Sequence, residues 1–140
     1  MTAPAIFTIA IACAAVLAFL VIIMQQRVTG NALILALLSA AFGGFTAVQL
    51  ATEGPVMFWT NHSANLTGVQ VWWDLVMATL IALFLLIPRA RAAGMNVVPW
   101  AIFVICTASI GLTAMCARLF WLESRSASAP APTARPAPAA

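Results

Sequence analysis

Long apolar runs broken by brief polar punctuation dominate this chain, with little alternation of hydrophobic and polar positions. A helix needs roughly 20 apolar residues to cross a hydrocarbon core about 30 Å thick, and four stretches have that length. The first, Ala5 to Met24 (AIFTIAIACAAVLAFLVIIM), closes at Gln25, Gln26 and Arg27, with Gly30 and Asn31 as turn residues. The second covers 32–52. The third covers 69–87 and is closed by Pro88 and the charges of "RAR". The fourth covers 97–122, with Pro99 in its first turn, where a missing N–H costs little. The pattern predicts an all-α membrane protein: a four-transmembrane-helix bundle in a single domain, 1–123, followed by a tail.

The first run is read as a true span. It lacks a basic n-region, is long for a signal-peptide core and precedes no small-x-small cleavage site, and Ala-Ile-Ala before Cys13 makes a poor lipobox. The tail, 124–140, is Ala/Pro/Ser-rich with nothing to bury, so it is expected to be disordered. Residues 53–68 read as a polar loop between the second and third spans.

Composition agrees with the pattern. The chain has 140 residues, 64% of them hydrophobic and only 6% charged, against about 25% charged in soluble domains. A soluble fold of this size could not hide so much apolar surface. The net charge of +3 comes from Arg alone, too sparsely for a nucleic-acid surface. Arg27, Arg89 and Arg91 follow the first and third spans, so the positive-inside rule puts those loops in the cytoplasm. With four spans, both termini and the 53–68 loop then lie outside a bacterial inner membrane. Arg125 and Arg135 in the tail oppose that assignment.

Helices in lipid associate through close packing, which small residues permit. Ala32, Ala36, Ala40 and Gly44 form such a stripe on the second span; Ala10, Ala14 and Ala18 form one on the first, and Ser109, Thr113 and Ala117 one on the fourth. These stripes predict a tight bundle, or one that also self-associates.

Few residues carry chemistry. An ionisable residue inside a span is a functional-site hypothesis by default, and Asp74 and Arg118 qualify. If the last two spans are antiparallel neighbours, the pair meets at one face as a structural clamp or as a polar site for a ligand, proton or ion. Otherwise both side chains snorkel to the interface. Glu53 and His62 belong to the same face. A lone His cannot build a zinc site or a bis-His haem within one chain, so no metal or cofactor is expected. Cys13, Cys106 and Cys116 lie in apolar runs without ligand spacing and read as buried small hydrophobes. Trp59, Trp72, Trp73, Trp100 and Trp121 read as interfacial anchors, or as an aromatic box for a lipid or cation. The triplets at Asn61 and Asn65 match glycan acceptors on an exposed loop.

From 61 to 125 the chain resembles the DUF2834 family of small bacterial membrane proteins. The likeness is carried by "WWDLVMATLIALF", "RARAAG" and "WAIFVICTASIGLTAMCARLFWLESR". It implies helical spans and no assigned activity, and the fourth span and Pro-rich tail depart from it. Three functions remain: a non-enzymatic accessory or scaffold subunit, packed with itself or a larger membrane complex; a small oligomeric transporter or ligand-binding protein using Asp74 and Arg118; and a lipid- or isoprenoid-modifying enzyme with Asp74 or Glu53 as acid. No nucleophile–base pair, phosphate-binding Gly motif or intramembrane carboxylate pair selects the last.

Overall fold

The computed structural model describes residues 3–24 and 30–127, which hold six α-helices and no strand. The chain divides into two compact units, 1–30 and 31–140. Three helices are long and apolar enough to cross a membrane: Pro4–Met24, Ala32–Glu53 and Leu66–Ala92.

The first unit is one helix, α1 (Ala3–Met24), apolar on every side. Its Thr8 hydroxyl donates to the carbonyl of Pro4 at 2.9 Å, so this polar group is satisfied within the helix itself.

The second unit begins at Asn31, whose Oδ1 accepts from the backbone N–H groups of Leu33 and Ile34 and caps α2 (Ala32–Glu53). Gly54, at φ +80°, ends α2 in a conformation that favours glycine. Pro55 then opens α3 (Pro55–Ser63), so most of the expected loop is helix. Thr60 and Ser63 add no free donors, because each donates to a carbonyl one turn back in α3.

Asn65 caps α4 (Leu66–Ala92) by accepting from Gly68 N–H at 2.8 Å. A Cβ on Gly68 would lie 2.9 Å from the carbonyl oxygen of His62, so the α3–α4 corner closes only around glycine. The third span was expected to end at 87, but α4 runs through Pro88 to Ala92. Proline removes one hydrogen bond there, while Ala90 is fully buried and Leu86 and Ile87 pack beside the core. The helix stops at Gly94 (φ +76°) in a Schellman motif: Met95 N–H donates to Ala90 O and Gly94 N–H to Arg91 O, with Ala90 and Met95 both buried.

The largest departure from expectation follows. Residues 97–122 are not one span but two helices, α5 (Val97–Thr107) and α6 (Ser109–Ala127), joined at Ala108 with φ 47° and ψ −114°. The chain folds back on itself there. A Cβ on Gly111 would sit 2.8 Å from Val104 Cα, a proximity that a continuous helix could not produce over seven residues. The far end of α6 returns to the end of α4, where Arg89 and Glu123 pair through two hydrogen bonds of 2.5 and 2.7 Å. No glycine or proline marks the turn, so the fold supports an unfavourable backbone conformation at an alanine.

The buried core lies around this hairpin: Leu83 and Ala90 from α4, Met95 from the connection, Val97 and Val104 from α5, and Met115 and Leu119 from α6. Helix α2 runs along α6. Its Ser39 hydroxyl donates to Ile110 O at 2.9 Å, and Gly43 lies beside the Ile110 side chain. The partly covered face of α2 therefore includes Ala32, Leu35, Ser39, Gly43 and Thr46, whereas Ala36, Ala40 and Gly44 of the expected stripe are exposed. Ser124 to Ala127 belong to α6 rather than to the tail. The expectation for 128–140 lies outside the described residues.

Gly111→Ala should destabilise the fold by about 1–3 kcal/mol, as overpacking against backbone does. Gly44→Ala, facing open space, should be neutral or stabilise by about 0.5–1 kcal/mol. Thermal unfolding in detergent measures both, and equal effects would contradict the fold-back at Gly111.

Candidate functional site

Two clusters gather the side chains capable of recognition. The first is the α3–α4 corner. Helix α3 lays Phe58, Trp59 and His62 around Trp72, with ring centroids 5.7, 6.4 and 6.1 Å from it. Such edge-to-face and tilted contacts suit aromatic quadrupoles. His62 Nδ1 lies 2.7 Å from Phe58 O. A carbonyl only accepts, so Nδ1 is the donor in this contact. Trp59, His62, Ser63, Val69 and Trp72 line a cavity of about 210 Å³. That is smaller than usual ligand pockets, and its mostly apolar lining suits a small apolar group.

The second cluster is the end of the α5–α6 hairpin. Arg89 grips Glu123 with both carboxylate oxygens engaged and lies 5.1 Å from the centre of the Phe120 ring. The guanidinium carbons of Arg118 and Arg125 lie 4.4 and 4.6 Å from the centre of Trp121. Both arginines are on α6, one turn before and one turn after that ring. Sequence reasoning assigned the Arg89 loop to topology only and missed its pairing with Glu123. No local signal reveals it, since the two are 34 residues apart and meet only through the turn at Ala108.

The other residues singled out in the sequence are placed as follows. Asp74 and Glu53 are exposed, and neither is in an ion pair, because Arg89–Glu123 is the one salt bridge among the described residues. Asp74 and Arg118 are not brought together. Asp74 precedes Arg89 by fifteen residues, roughly 22 Å along α4, whereas the hairpin carries Arg118 back toward Arg89. Of the paired tryptophans, Trp72 turns into the corner and Trp73 stays 64% exposed. Trp100 packs beside the core and meets Phe103 edge-to-face, and Trp121 is 39% exposed. Cys13 and Cys106 are exposed rather than buried, Cys116 is half-buried, and all three are free thiols. Among the described residues no three of His, Cys, Asp and Glu come together as a metal site would require.

A double-mutant cycle separates the two ion-pair assignments. Asp74→Asn and Arg118→Gln should show no coupling, whereas Arg89→Gln and Glu123→Gln should couple by about 0.2–1 kcal/mol, the range for partly exposed pairs. Chemical denaturation in micelles provides the measurement.

Comparison with known proteins finds no matching family model, no matching curated protein and no matching solved structure.

Proposed function

We propose that this chain is a non-enzymatic integral membrane protein, an accessory or scaffold subunit built from three spans and one re-entrant hairpin. The observation that carries the reading is the uneven distribution of burial. The fully buried side chains all lie between Leu83 and Leu119, while α2 has none and large hydrophobics stay exposed along α1, α2 and α4. Apolar surface on that scale needs lipid or other helices to cover it. Helices with so little internal core fit a part of a larger assembly better than a self-sufficient catalyst. The transporter alternative depended on Asp74 beside Arg118 and loses its support with their separation. The enzyme alternative has no second group beside Asp74 or Glu53 to support it. The DUF2834 resemblance adds no activity.

Helix lengths support the hairpin as re-entrant. Counting at 1.5 Å per residue, its tip at Ala108 is roughly 16 Å from Val97 and 22 Å from Glu123, and Ser39, which bonds to Ile110 beside it, is roughly 10 Å from the start of α2. Each count ends near the middle of a core about 30 Å thick. Irregular backbone at that depth needs protein or water around it, and Ser39 supplies one such contact at Ile110 O.

The hairpin supports one orientation for the arginines at this end. Arg89, Arg91, Arg118 and Arg125 share one end of the second unit, and Arg27 precedes the α2 cap by four residues. The positive-inside rule assigns that end to the cytoplasm. The end of α6 follows it inward, opposite to the four-span expectation, while the α3 corner faces outward.

Single-cysteine variants in a cysteine-free background test this topology. Ala64→Cys should react with an impermeant reagent in intact cells, and Ala92→Cys and Ser126→Cys only after lysis. Labelling of Ser126→Cys from outside would restore the four-span topology. Native mass analysis in mild detergent tests the role: a folded single chain with no second copy or companion subunit would refute the scaffold reading.

A further inference from the structure

We propose that the cytoplasmic end of α6 is a docking site for the phosphate headgroup of an anionic phospholipid, bound between Arg118 and Arg125 on the platform of Trp121. The inference rests on the membrane reading above and deepens it by naming a lipid partner. It starts from charge. Among the described residues the only carboxylate at this end of the second unit is Glu123, and Arg89 engages both of its oxygens. Glu53 and Asp74 lie toward the opposite ends of α2 and α4. Arg118 and Arg125 therefore have no anionic partner in the described chain; their contacts are with the Trp121 ring.

Geometry adds the second element. Trp121 lies three residues after Arg118 and four before Arg125, so the helix brings both guanidiniums to one ring. Their distances from its centre bring two like charges within roughly 9 Å of each other, close enough to repel noticeably in any medium drier than water. An anion between them reverses the sign of that interaction. Guanidinium groups suit phosphate because their planar forks donate two parallel hydrogen bonds to its oxygens. Stacking on indole holds those forks in place before the anion arrives.

Depth supplies the third element. Arg118 precedes Glu123 by five residues, so its Cα is roughly 7 Å deeper along α6. Its guanidinium nevertheless reaches Trp121, toward the aqueous end, as a snorkelling side chain does. Tryptophan settles at headgroup level, and the phosphates of the cytoplasmic leaflet lie at that level. Basic clusters at the ends of membrane helices recognise anionic headgroups in this way.

The test uses the full chain reconstituted in bilayer discs of phosphatidylcholine with one-fifth phosphatidylglycerol, then released for native mass analysis. The wild type is expected to retain phosphatidylglycerol in preference to phosphatidylcholine. Arg118→Gln with Arg125→Gln should reduce that preference on the order of thirtyfold, from about 1 kcal/mol per arginine at an anionic surface. Arg27→Gln with Arg135→Gln removes the same charge elsewhere and should leave the preference largely intact. Equal losses in the two double variants would mean diffuse attraction and overturn the site, as would competition by millimolar inorganic phosphate or unchanged retention in Arg118→Gln/Arg125→Gln. Circular dichroism confirms that each variant is folded. Insertion into discs without lipid preference would refute the site while leaving the membrane reading intact; failure to insert would refute both.

Discussion

The close approach of α6 to α5 at Gly111 is the constraint on which the rest of the second unit depends. With hydrogen alone at that Cα, the helix after Ala108 can lie against the backbone of Phe103 and Val104. Any side chain there would push the two arms apart. With the arms together, Val104, Met115 and Leu119 become fully buried against Leu83 and Ala90 of α4. The same closure brings Glu123 back to Arg89, whose ion pair is 47% and 34% exposed on its two sides. A pair so exposed adds little stability, but it marks the register in which α6 meets α4.

Polar groups in the apolar helices are managed locally. Thr8, Thr107 and Thr113 donate to carbonyls one turn back, and Ser39 donates across to Ile110. Each of these four hydroxyls, costly if left bare in hydrocarbon, is thereby satisfied. The α3–α4 corner follows the same economy at the aqueous edge, with His62 bound to Phe58 O and Asn65 capping the next helix. These contacts place His62 and the cavity at Trp59 and Trp72 near the start of α4, at the opposite end of that helix from Arg89.

Separation of charge along the helices gives the molecule its functional polarity. Arginine collects where α4 and α6 end, while the carboxylates other than Glu123 sit toward the far ends of α2 and α4. The second unit therefore carries a basic, tryptophan-bearing end at Arg89 and Trp121 and a histidine-bearing aromatic corner at His62 and Trp72. The apolar flanks between them await lipid or neighbouring helices.

Much of the fold was legible residue by residue. The runs ending at Met24, Thr52 and Ile87 announce helices because polar residues interrupt them only singly, and Asn31, Asn65 and Gly94 mark boundaries by capping chemistry that depends only on near neighbours. The helix α3 had a local signal in Gly54-Pro55, set against a polar composition that favoured a loop. The turn at Ala108 had none, since alanine ordinarily continues a helix and an apolar run of 26 residues satisfies every length criterion for a span. Once that turn is missed, Arg118 is assigned to the wrong end and a pair with Asp74 follows. Local sequence thus determined which segments are helical and that their surroundings must be apolar, because backbone hydrogen bonding and side-chain transfer are decided within a few residues. Only the tertiary structure decided where the last helix ends, because contacts of Gly111 with Val104 and of Arg89 with Glu123 join positions that no local pattern relates.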